Sequence, residues 1–145
     1  MIKIVCVGKI KESYLNDLIN DYVTRISKYH KIQIIELKDT GLNEESSDIL
    51  NHLNNKEYNV LLDINGEIYD SVGLSKFIDS TFTNISTNIT FIIGGSNGVD
   101  DRVKSFVNKR ISFSKLTFPH GLFRGILLEQ IYRSFKIINN ESYHK

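Results

Sequence analysis

The chain is predicted to be an α/β protein, a mostly parallel sheet flanked by helices, folded as a single domain over residues 1–145. Three observations predict it. Short apolar runs alternate with helix-period patterns from one end to the other, the sequence form of a parallel sheet covered on both faces. The runs themselves are continuously apolar, as strands buried on both faces must be. A composition of 41% hydrophobic and 24% charged residues over 145 positions supplies one ordinary core and leaves too little chain for a second.

Taken in order, Ile2–Val7 is the first strand. Ser13 then stands where an N-cap belongs, ahead of Leu15, Leu18, Ile19, Tyr22, Val23 and Ile26 at helical spacing. Ile32, Ile34, Ile35 and Leu37 make the second strand, and the polar residues 38–47 lead into a short helix marked by Ile49, Leu50 and Leu53. Residues 58–64 form the third strand, closed by the turn signal Asn65-Gly66. A helix carrying Leu74, Phe77, Ile78 and Phe82 follows, and Ile89–Ile93 is the fourth strand. After the glycine-rich residues 94–98 come a helical face of Val99, Val103, Phe106 and Val107 and a short fifth strand marked by Ile111 and Phe113. Pro119, suited to a first helical turn, opens the longest helix, residues 121–138. Its apolar residues exceed a single stripe, so it should be covered on two sides, either by a second subunit or by deep burial within one chain. Gly125 would permit a close helix approach.

Several functions are excluded on the residues alone. No apolar stretch reaches the roughly 20 residues of a membrane span, and MIKIVCVGKI reads as a strand without the apolar centre of a leader, so a cytoplasmic protein is expected. Cys6, alone inside the first strand, offers neither a disulfide nor a thiolate cluster and reads as core. His30, His52, His120 and His144 show no metal-ligand spacing, and no metal is expected. The loop Gly94-Gly95-Ser96-Asn97-Gly98 follows the wrong strand, with the wrong spacing, for a dinucleotide fingerprint; no Gly-Lys-Ser/Thr completes a phosphate loop, and no serine sits in a nucleophile elbow. The loop is either a tight turn or a place where backbone meets a ligand other than a phosphate. Asp100 and Asp101 read as acids at the start of the next helix. Charge is uneven: residues 1–108 carry 11 Lys/Arg against 15 Asp/Glu, and residues 109–145 carry 7 against 2. A basic end of this kind fits a polyanionic partner, or neutralisation by the acidic part of the same fold.

Three stretches go further: IGGSNG at 93–98, SFSKLTFPHGLFR at 112–124 and LLEQIYRSFKIINNESYHK at 127–145. With VGKIKESY near the N-terminus and LDINGE after the third strand, they resemble, in the same order and over the whole chain, the bacterial RlmH family. Members of that family are small SPOUT-superfamily methyltransferases that use S-adenosylmethionine to methylate N3 of a pseudouridine in 23S ribosomal RNA. The resemblance implies a SPOUT-type fold with a C-terminal trefoil knot, a homodimer, and the cofactor bound in loops of the knot. It carries the cofactor-binding positions onto Leu62, Gly94, Phe113, Ser114, Lys115, Leu116, Thr117 and Phe118. Main-chain groups would read the adenine, Gly94 would clear a Cβ from its approach, and Leu62, Leu116 and the aromatic residues would supply an apolar wall.

On the same expectation the methyl donor is already activated, so the protein has to align the target nitrogen and help remove its proton. His144 is the candidate proton acceptor and Tyr143 the candidate to stack on or hydrogen-bond to the base; a solvated tail and simple packing are the alternatives. Arg124 and Arg133 are candidates to hold RNA phosphate, against ion pairs with Glu129 or another acid. His120 reads as a helix-start residue near the cofactor loop. The chain departs from the family in a shorter segment at 38–57 and in Gly125 at a position generally aliphatic, which bears on the RNA footprint and on helix packing. So small a surface implies that a dimer cleft and the assembled ribosome both contribute to recognition. Two rival readings remain: a nucleotide- or flavin-binding module without catalysis, against which the missing fingerprints count, and an inactive ribosome-associated protein, against which the intact LTFPH and YHK stretches count.

Overall fold

Alternate residues of β1 (Ile2–Val7) face opposite sides of the sheet, and the rest of the molecule is arranged around that alternation. The computed structural model describes residues 1–145. Ile2, Ile4 and Cys6 enter the larger core cluster, while Val5 and Val7 enter the smaller one on the other face. β1 lies between β2 (Ile32–Leu37) and β4 (Ile89–Ile93), with Ile4 opposite both Ile34 and Phe91. β3 (Tyr58–Ile68) pairs with β4, and β5 (Lys109–Ser112) closes that edge on β3. The order is β2-β1-β4-β3-β5 and every pairing is parallel, so each connection is a crossover and the helices must lie on the faces.

Helices α1 (Ser13–Ser27), α3 (Ser71–Asn84) and α5 (His120–Ile138) pack on the larger cluster through residues such as Ile19, Ile78 and Ile131. α2 (Leu42–Asn51) and α4 (Asp101–Phe106) cover the opposite face with Ile49 and Val103. Side chains of this size contribute roughly 1.5–3 kcal/mol each when fully buried, so the two clusters account for the sandwich of helix, sheet and helix. Cys6 belongs to that core, and burial pushes its thiol pKa up to about 11. No helix is long and apolar enough to cross a membrane.

The structure departs from the sequence reading at four places and bears on an open alternative at a fifth. Ser13 is the first helical residue of α1 rather than its cap; Glu12 holds the cap position without a side-chain bond to the helix. α2 begins at Leu42, inside the polar stretch, because its first turn is buried through hydrogen bonds instead of apolar contact. Asn65-Gly66 does not end β3. The strand continues through it with a bulge that sets both Leu62 and Glu67 opposite Ile111. A Cβ on Gly66 would lie 2.7 Å from the backbone of Arg110 and Ile111, so the glycine serves a close strand approach. Phe113 falls just past β5. Finally, the apolar excess of α5 is covered within the chain, since the helix is wedged between α1 and α3. Tyr132 meets Tyr22 at 5.9 Å between ring centroids, Gln130 accepts from Ser71 Oγ at 2.7 Å, and a Cβ on Gly125 would stand 2.8 Å from Leu18.

Candidate functional site

Beyond the carboxyl ends of β4 and β5 the chain leaves the sheet in two loops, and with residues 61–64 of β3 these border a cleft of about 520 Å³. Ligands of open α/β sheets bind at this edge because strands end there with unpaired backbone groups and helices begin. Leu62 contributes from β3, Gly94 from the loop after β4, and Phe113, Ser114, Leu116, Thr117 and Phe118 from the segment after β5. The expected cofactor positions therefore border one space, with one exception. Lys115 is exposed and does not border it.

The glycine loop is shaped mainly by its own backbone. A Cβ on Gly94 would stand 2.8 Å from the Gly98 carbonyl oxygen, and Gly98 itself has φ +75°, the left-handed region that glycine enters at little cost. Gly98 N donates to Gly95 O at 2.9 Å, closing the turn. The need for glycine at 94 is thus met inside the protein, before any ligand approaches. The loop is also propped from the other face of the sheet. A Cβ on Gly95 would meet Glu45 Oε1 at 2.5 Å, and that buried carboxylate is fixed by the N–H groups of Thr40 and Gly41, each at 2.9 Å. Ser46, also buried, accepts from the N–H of Asp100 at 3.0 Å, just where Asp100 caps α4 by accepting from Arg102 N. Sequence reasoning passed over Glu45 and Ser46; the signal was a glutamate four residues after Gly41, within reach of a helix start.

The segment after β5 is ordered by short polar bonds and by ring packing. Ser112 Oγ donates to Ser114 O at 3.1 Å, and Leu116 N donates to Ser114 Oγ at 2.9 Å. Phe123, from the first turns of α5, contacts Phe113 edge-on at 5.6 Å and stacks with Phe118 at 5.9 Å. Leu116 stands 72% exposed over the cleft with no protein partner for most of its surface, as a wall residue awaiting a ligand would.

His120 separates this cleft from a second, of about 1110 Å³, over the ends of β1 and β2. Burial lowers its pKa; the Val7 carbonyl opposes that shift and the charge of Arg124 reinforces it. Its Nε2 is buried without a partner.

Arg124 is not available to RNA. It is 1% exposed, pairs through Nη1 with Glu36 at the end of β2, and donates through Nη2 to Gly8 O at 2.9 Å. The expected phosphate ligand is instead the clamp that fastens α5 to the ends of β1 and β2. Glu36, a partner 88 residues away, is what the sequence could not supply.

Tyr143, His144 and Arg133 do come together, around Glu129. The Glu129 carboxylate accepts from Arg133 Nε at 3.0 Å and from Tyr143 OH at 3.1 Å, and the guanidinium lies 4.8 Å from the centre of the Tyr143 ring. Burial, with hydrogen bonds to Tyr22 and Glu129, raises the Tyr143 pKa and keeps its phenol protonated. Arg133 Nη1 meets His144 Nδ1 at 3.1 Å. A guanidinium can only donate, so Nδ1 is the acceptor and a neutral His144 carries its hydrogen on Nε2. Neither Tyr143 nor His144 borders the first or the second cleft of this chain. From Phe123 at the cleft to Arg133 is about 15 Å along the helix axis.

A parallel α/β sheet with a ligand-sized cleft bordered by one strand and by the loops after two others is the framework of a group-transfer or binding protein. The family model described as "Predicted SPOUT methyltransferase" matches residues 1–144. The chain is 43% identical over 157 aligned positions to the ribosomal RNA large subunit methyltransferase H of Clostridium botulinum (strain Alaska E43) and 43% identical to that of Enterococcus faecalis, covering 99% of both chains in each case. Alignments longer than the chain mean that these relatives carry residues that it lacks. Among solved structures, the SpoU methyltransferase AviRb from Streptomyces viridochromogenes matches with a TM-score of 0.51 at 10% identity, over 98% of this chain and 62% of that one. Its complex with the cofactor AdoMet matches with a TM-score of 0.50 at 9% identity, over 92% and 57%. The chain belongs to the SPOUT methyltransferase family.

Proposed function

We propose that the protein transfers a methyl group from S-adenosylmethionine to ribosomal RNA of the large subunit, at N3 of a pseudouridine in 23S rRNA. The observation that carries this is the convergence of residues 61–64 of β3 with the loops after β4 and β5 on one cleft of about 520 Å³, within the range of small-molecule sites. The residues present fit the cofactor: apolar side chains (Leu62, Phe113, Leu116, Phe118) line one part, and Gly94, Gly95, Ser96, Asn97, Gly98, Ser114 and Thr117 border the rest. Bound there, S-adenosylmethionine would supply a methyl group activated by its positive sulfur. Leu62, Gly94, Phe113, Ser114, Leu116, Thr117 and Phe118 would hold it, and Lys115 would remain at the mouth. The large-subunit methyltransferases at 43% identity support the RNA substrate.

The same reading includes a homodimer, a knotted path of the C-terminal segment, and action on the ribosome. Tyr143 and His144 are the groups proposed to meet the base, and both lie away from their own chain's cleft, so a second copy presenting its tail completes the site. With Nδ1 held by Arg133, His144 enters as a donor at Nε2; it accepts the N3 proton only after Arg133 releases Nδ1. Arg133 stays with Glu129 and positions the tail.

Calorimetric titration with S-adenosylmethionine, followed by incubation with labelled cofactor and ribosomes lacking the modification, tests the proposal. Binding heat and label in 23S rRNA are expected. No heat would point to a nucleotide module, and heat without label transfer to an inactive ribosome-associated protein; either outcome ends the proposal. Sedimentation as a monomer at micromolar concentration would end the dimer.

A further inference from the structure

The second cleft, about 1110 Å³, shares Gly95, Ser96 and His120 with the cofactor cleft, so the two are neighbouring chambers with one wall. Lys9 and Lys11, between β1 and α1, and Lys38, just past β2, stand on its rim. All three are exposed, and none takes part in an ion pair. Glu12 and Asp39 also border the cleft, whereas the third acid there, Glu36, is already neutralised by Arg124. The free charge of the rim is therefore positive. Tyr14, from the first turn of α1, is 69% exposed beside these lysines.

We propose that this cleft receives the single-stranded RNA flanking the target base: Lys9, Lys11 and Lys38 hold its phosphates and Tyr14 stacks on one of its bases. A basic groove combined with an exposed aromatic platform is how single strands are held without being read base by base. The shared wall supplies the functional link. A strand lying in this cleft brings a nucleotide to Gly95 and Ser96, directly beside the methyl donor, and to His120, whose buried Nε2 has no partner within the protein. The inference rests on the methyltransferase reading above and deepens it by stating where the substrate enters.

The test measures KM for ribosomes lacking the modification, across a series of salt concentrations, with S-adenosylmethionine affinity measured alongside. Lys9→Gln combined with Lys11→Gln should reduce the slope of log(kcat/KM) against log salt by about 1.4, from two lost phosphate contacts to a single strand. Tyr14→Ala should raise KM at least about fivefold, the loss of one base–aromatic stack. Cofactor affinity should stay at its original value in all of them, and Lys9→Arg with Lys11→Arg should recover the slope, a rescue that a merely structural role would not give. An unchanged slope and KM in variants of an enzyme that methylates ribosomes would overturn this inference alone. No methylation by the unaltered protein would overturn the underlying function, and this entry path with it.

Discussion

Glu36→Leu should destabilise the protein more than Arg124→Met, although the arginine is the buried partner of the pair. Arg124 is 1% exposed, its Nη2 has the Gly8 carbonyl at 2.9 Å, and its Nε–H has no acceptor at all. Removing the Glu36 carboxylate leaves a buried cation with one neutral acceptor, and breaking such a pair costs about 3–5 kcal/mol. The Glu36 side chain is 40% exposed, so water can enter where it stood; the lower end, about 3 kcal/mol, is expected. Arg124→Met removes the cation together with the orphaned Nε–H, whose burial alone costs about 1–3 kcal/mol, and frees Glu36 to turn into water. Only the Gly8 carbonyl loses a partner, so the net loss should be about 1–2 kcal/mol. The double variant should match Arg124→Met, which means that adding the second substitution rescues the first. Urea unfolding at one fixed chain concentration checks this: with m of about 1–3 kcal/mol per molar, 3 kcal/mol moves the midpoint by at least about 1 M. The reasoning is refuted if Arg124→Met proves the less stable single variant, or if the double variant falls below both.

Three further outcomes are expected. Gly94→Ala drives a methyl group into the Gly98 carbonyl at 2.8 Å, so S-adenosylmethionine affinity by calorimetry should drop at least about tenfold while far-ultraviolet circular dichroism stays native; undiminished affinity would separate the loop from the cofactor. His144→Ala should cut label transfer to 23S rRNA on the order of 100-fold and leave cofactor affinity alone, and an unchanged rate would remove the residue from the reaction. The pKa of His120 is lowered on folding, chiefly by burial, so between pH 6.5 and its folded value the unfolded chain binds the extra proton. Its contribution is complete above pH 6.5 and is lost as the pH falls through the folded pKa; unfolding midpoints of His120→Gln should therefore depend less on pH in that window than those of the unaltered protein.

The central strands were legible because their burial is two-sided. Every residue of β4 is buried, as is all of β1 apart from Lys3, and no polar alternation interrupts either. The edges were hidden for the converse reason. The extension of β3 through Asp63, Asn65 and Glu67 pairs with β5 through its backbone and through the ion pairs Asp63–Arg110 and Glu67–Lys109, without a run of apolar residues, so it reads as a loop. The start of α2 was missed because its buried groups are Glu45 and Ser46, residue types whose burial depends on partners elsewhere. Arg124 reads as a surface cation for the same reason. The expected cofactor positions came from resemblance to a family, and only the fold shows that residues 62, 94, 113, 114 and 116–118, from one strand and two loops, border one space.

That dependence on long-range partners explains why the site carries so little side-chain chemistry of its own. The glycine loop takes its shape from Gly98 and from Glu45 and Ser46 on the far face of the sheet. The aromatic segment takes its shape from Phe123 on α5. α5 is in turn fixed to β1 and β2 by Arg124, and two turns further on it holds the tail through Glu129 and Arg133. One helix thus sets the wall between the two clefts, the position of the aromatic loop and the reach of Tyr143 and His144. A shift of α5 along its axis would move all three together, so the clamp at Arg124 bears on the geometry of both clefts and of the tail at once.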